Sequence, residues 1–84
     1  MNIDPIIVAM VSCVQMLDTS HPDEVDPDFA VKVQEVMGEY LREIPASDEP
    51  ELHATLLRIA ADRAESDPTI AEHLRMWAEN LHRR

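Results

Sequence analysis

Five side chains of the kinds that hold zinc or act as nucleophiles are scattered along this chain: Cys13, His21, His53, His73 and His82. A zinc site needs such groups two to four residues apart, so that neighbouring ligands share one face of a turn or helix. No CxxC, HxxxH or HExxH spacing occurs, and each of the five reads as a surface, cap or packing residue. Glu24, Asp26, Asp28 and Glu35 fall at positions 1, 3, 5 and 12 of a calcium-binding loop. Position 6 is then Phe29 where the turn requires glycine, and the segment from Pro27 onward has a helical pattern. The acids therefore read as a solvated loop feeding a helix start.

Covalent catalysis requires a Ser or Cys beside a positioned base. Cys13 sits inside the uncharged run IIVAMVSCVQML, residues 6–17, where a thiol is expected to pack as a small hydrophobe. A phosphate-cradling loop is excluded because Gly38 is the single glycine. Glu35, Glu39 and Glu43 recur every fourth residue, the spacing of an exposed helical face. The acidic helical make-up is similar to that of acyl carrier proteins. Their Asp-Ser-Leu attachment motif is missing, since the four serines stand in VSC, TSH, ASD and ESD. No catalytic, cofactor or metal constellation emerges, and the expectation is a non-enzymatic protein.

The elements that would position these groups are helical. Three aromatic residues and one glycine in 84 are too few for the strand faces and hairpin turns of a β fold, while Ala, Leu, Glu, Met and Arg favour helix. Asp4-Pro5, Asp26-Pro27 and Asp67-Pro68 each precede an apolar pattern of helical period. A carboxylate accepts the free N–H groups of a first turn, and proline fits where the N–H has no intrahelical partner. A fourth start lies at Ser47 or Asp48. The chain thus reads as a single all-α domain over residues 1–84. It predicts four short antiparallel helices in a compact bundle, about 5–17, 27–44, 49–65 and 68–82.

Their apolar faces follow from spacing. The second helix presents Phe29, Val33, Val36, Met37, Tyr40, Leu41 and Ile44. The third presents Leu52, Leu56, Ile59 and Ala60, widened by Leu57, Ala61 and Ala64. The fourth presents Ile70, Ala71, Leu74, Trp77, Ala78 and Leu81, with Arg75, His82, Arg83 and Arg84 toward its C-terminus.

Residues 6–17 are too few to span a bilayer, and no positive region precedes them as in a signal peptide. A lone cysteine fits a reducing compartment. Six of seven bases are arginine, the usage of a GC-rich bacterial genome. A cytoplasmic, bacterial or phage protein is expected.

Seventeen acids oppose seven bases, a net charge of −10, which disfavours a nucleic-acid backbone and an anionic membrane. Residues 1–44 carry nine acids against two bases, and residues 45–84 eight against five. The partner expected is therefore another protein with a basic surface. It would be met by an acidic face of Asp23, Glu24, Asp26, Asp28, Glu35, Glu39 and Glu43. The first helix is apolar around most of its circumference, so it is either clasped centrally or shared with a partner. The expectation favours a homodimer through Ile6, Ile7, Met10, Val11, Cys13, Val14 and Leu17. An adaptor, regulator or inhibitor fits this pattern. So does an immunity- or antitoxin-like protein, or a DNA mimic, that fills the basic cleft of a nucleic-acid enzyme.

Overall fold

Asp26 and Asp67 act as the sequence pattern predicts. Asp26 Oδ1 accepts the Asp28 N–H at 3.0 Å and Asp67 Oδ1 accepts the Ile70 N–H at 3.2 Å. A proline follows each at the first helical position. The computed structural model describes residues 1–81. It contains α1 (Asp4–Thr19), α2 (Pro27–Leu41), a 3₁₀ turn (Ala46–Asp48), α3 (Glu49–Arg63) and α4 (Pro68–Asn80). The described residues form an all-α bundle of four helices. His82, Arg83 and Arg84, and with them the expected end of the fourth helix, lie outside the described residues.

The other two caps differ from expectation. Asp4 is the first residue of α1, preceded by Ile3 in helical backbone. Its own N–H donates to Asn2 Oδ1 at 3.0 Å, and its carboxylate is engaged elsewhere. At α3, neither Ser47 nor Asp48 makes a side-chain cap. A capping side chain reaches back from extended backbone, whereas Asp48 has φ −91° and ψ −10° and continues the 3₁₀ turn into the helix. The second helix stops at Leu41 rather than Ile44. Glu43 N–H bonds Tyr40 O and Ile44 N–H bonds Leu41 O, a tightened end imposed by Pro45, which disfavours helical backbone at the residue before it.

The core is built on α3 and α4, which have the most extensive contact of any two elements. Leu56, Ile59 and Ala60 meet Ile70, Ala71, Leu74 and Ala78, and α1 adds Ile7 and Val11. The alanines let backbones approach closely, and Leu56, Leu74 and Val11 fill the space between. Leu57 and Ala61 are exposed and do not widen the α3 face.

The largest departure concerns α2. Only Ala30 of this helix is buried, and α2 touches α1 more lightly than α1 touches α4. Its apolar set, read as one face, splits in two. Val33, Met37, Leu41 and Ile44 are half-buried, whereas Phe29, Val36 and Tyr40 are 58%, 48% and 70% exposed. The core is already closed by three helices, so the outer half of the stripe finds nothing to bury it.

Two substitutions test this picture by thermal denaturation. Leu74→Ala removes a fully buried side chain and should cost about 3 kcal/mol, a fall in Tm on the order of 15 °C. At Gly38, an added Cβ meets nothing within 4 Å. Gly38→Ala should therefore stabilise by up to about 1 kcal/mol through helix propensity alone.

Candidate binding groove and acidic face

The N-terminal half of α2 is tied to α1 by buried Ala30 and by a Gln34 Nε2 to Asp18 Oδ1 hydrogen bond of 2.8 Å. From Gln34 to Leu41 the same helix becomes one wall of an open groove of about 1090 Å³, with α1, α3 and α4 opposite. Met10 of α1, Met37 and Leu41 of α2, Leu52 of α3, and Met76 and Trp77 of α4 give it a mainly apolar lining. Methionine adapts its unbranched side chain to irregular partners, and three line this groove. Asp18, Glu49, Arg42 and His73 add polar groups. His73 Nδ1 lies 2.9 Å from Thr69 O, so it carries the hydrogen and donates to that carbonyl. The groove can desolvate an apolar segment, but it holds no nucleophile–base pair.

Helix α1 is not clasped on every side. Ile7, Val11 and Val14 point into the fold, whereas Ile6 and Met16 are 58% and 66% exposed. Of the residues expected at a self-association face, Ile7, Val11 and Val14 are buried within the chain. Ile6, Cys13 and the half-buried Met10 and Leu17 remain. Cys13, expected to pack as a small hydrophobe, is exposed. No helix among the described residues is long and apolar enough to cross a membrane.

All seven expected acidic-face residues are exposed. Asp23 lies 3.4 Å from His21 Nδ1, and Asp26 is committed to capping α2. Asp28 sits in the first turn of α2, where the helix dipole favours an anion. Glu35 and Glu39 follow along α2. With Val31, Gln34, Gly38 and Arg42 they line a shallow hollow of about 500 Å³ beside the groove. Glu43 follows just past the end of α2. Among the described residues, no three His, Cys, Asp or Glu side chains converge as a cation would require. The spacing gave Met37, Leu41, Leu52 and Trp77 as apolar helix faces, and Leu52 and Trp77 do pack against the core, but the groove between those faces is not legible in the sequence. Periodicity reports which residues are apolar together, not whether an opposing wall exists.

No protein-family model, curated protein or solved structure matches this chain.

A further charge feature is a clamp between the start of α1 and the middle of α3. Arg58 Nη1 and Nη2 donate to Asp4 Oδ2 and Oδ1 at 2.9 and 3.0 Å, and Asp62 lies 3.6 Å from the same guanidinium. The hydrogen bonds from Arg58 hold Asp4 below the ordinary aspartate value, and the same contact raises Arg58. A carboxyl group with a depressed folded pKa adds stability above its unfolded value. That stability is lost as pH falls through the folded value. The Tm difference between wild type and Asp4→Asn should thus be present at neutral pH and shrink below about pH 4. It should also shrink in high salt, because the pair is solvent-exposed.

Proposed function

We propose that this protein is a non-enzymatic interaction module that receives an amphipathic, basic helical segment of another protein. The observation that carries the reading is the apolar groove with acids on the outer side of its α2 wall. The apolar face of a docked helix would cover Met10, Met37, Met76 and Trp77, in the helix-in-groove manner. Its basic flank would reach Glu35 and Glu39. Burial of the apolar face supplies most of the affinity, while the charges select the partner and speed its approach. A protein of net charge −10 repels acidic competitors over the whole encounter. An adaptor, regulator or inhibitor role follows.

A basic-clefted nucleic-acid enzyme would instead be met by the row Glu35, Glu39 and Glu43, exposed along the outside of α2. That contact would not require the groove.

Trp77, the only tryptophan, lines the groove and reports on it directly. Titration with a tryptophan-free amphipathic peptide bearing Lys and Arg on its polar face should shift Trp77 emission to shorter wavelength, saturably. The same apolar stripe with an acidic polar face should bind about tenfold more weakly or less, a difference of roughly 1.4 kcal/mol. Gly38→Leu, which projects a side chain into the open space beside Gly38, should weaken the basic peptide without lowering Tm. Equal binding of both peptides, or no emission change with either, overturns the reading. Binding lost in Glu35→Gln/Glu39→Gln but unchanged in Gly38→Leu assigns the acidic row instead.

A further inference from the structure

The outer stripe of α2 has a pattern that the groove does not use. Phe29, Val33, Val36 and Tyr40 are spaced four, three and four residues apart, the alternation that places side chains along one seam between two helices. Phe29, Val36 and Tyr40 are exposed and Val33 is half-buried. Two aromatics and two β-branched residues on one exposed seam are the composition of an interface centre rather than of a solvated surface.

The charges beside the seam select what can cover it. Lys32, the only lysine, and Glu39 both precede a seam residue, at the equivalent position seven residues apart. If a second copy ran parallel, these positions would face Met37 and Ile44 and find no opposite charge. In an antiparallel pair, Phe29 opposes Tyr40 of the other copy and Val33 opposes Val36. Lys32 then lies beside Glu39 of the other copy, and the two-fold axis makes the pairing twice. The seam of α1, with Ile6 and Cys13 exposed and Met10 and Leu17 half-buried, has the same spacing. Its flanks are Ala9 and Met16 on one side and Ile7 and Val14 on the other, so no charge sets a register there.

We propose that a second copy of this chain docks antiparallel along α2, with Phe29, Val33, Val36 and Tyr40 as the buried seam and Lys32–Glu39 pairs setting its register. The contact leaves the apolar lining of the groove open on the inner side of α2, and shares with the groove's proposed ligand only Glu39. Self-association is thereby assigned to α2 instead of α1. Asp26 of one copy falls near Glu43 of the other at each end of the seam, which confines the contact to its apolar middle.

Sedimentation equilibrium on the full chain tests this, with far-UV circular dichroism confirming unchanged helicity in every variant. Wild type should be dimeric at micromolar concentration. Val36→Glu should weaken the dimer on the order of a hundredfold, because two charges enter the seam. Lys32→Glu should weaken it about tenfold by converting both attractive pairs to repulsive ones. The double variant Lys32→Glu/Glu39→Lys should restore it. Ile6→Glu, on the α1 seam, should leave it intact. A monomer up to millimolar concentration overturns the proposal. So does a dimer broken by Ile6→Glu but not by Val36→Glu, or a double charge swap that fails to rescue Lys32→Glu. Peptide-induced change in Trp77 emission should persist in the Val36→Glu monomer, which separates this contact from the groove.

Discussion

The close packing of α3 on α4 governs the arrangement of everything else in this molecule. Ala60, Ala71 and Ala78 present almost no side chain, so Leu56, Ile59, Ile70 and Leu74 interlock across a short separation. The link between the two helices is correspondingly short, with Asp67 N–H bonded to Arg63 O at 2.8 Å and the Asp67 carboxylate capping α4. This pair leaves one further apolar surface, mainly on α4, and α1 takes it with Ile7 and Val11. Three helices then enclose the interior. The Arg58–Asp4 clamp holds α1 at its first turn, where the apolar contact alone would let the end fray.

That closure explains the surplus of apolar surface on α2 and on the outer side of α1. A domain of this size has little interior relative to its surface, and 45% of its residues are hydrophobic. Once the three-helix interior is filled, further apolar side chains have only an edge to occupy. α2 is anchored by Ala30 and Gln34, and the rest of it serves as a wall and an outer seam. An apolar residue left in water adds nothing to folding and favours association. Here the surplus is organised in two directions, inward to the groove and outward to the stripe of Phe29, Val33, Val36 and Tyr40. A lightly attached helix is also well suited to adjust when a ligand or a second copy arrives, because few contacts must be broken to move it.

The charges follow a related logic. Acids serve at least three separate purposes: Asp26 and Asp67 cap helices, Asp4 clamps α1 to α3, and Glu35 and Glu39 remain on the surface beside the groove. Net charge alone would assign all of them one role. Their partners divide them, because a carboxylate already accepting a backbone N–H or a guanidinium has less to offer an incoming cation.

The residue order by itself determined that the chain is helical, where its helices begin at Asp26 and Asp67, and which faces of α3 and α4 are buried. Those features are local: a cap forms within three residues, and a helical face repeats every three to four. It also showed that the chain is strongly acidic, with a net charge of −10. Which apolar residues would be buried was not local. The stripe of α2 and the run of α1 carry the same signal as a core face, and only the closure of α1, α3 and α4 on one another left Ile6, Cys13, Phe29 and Tyr40 outside. The Asp4–Arg58 clamp, 54 positions apart in the chain, was equally invisible, because long-range pairing depends on how helices cross. The groove is likewise a product of tertiary structure: a cavity is the space between elements, and spacing along one helix carries no record of how far away the next one stands.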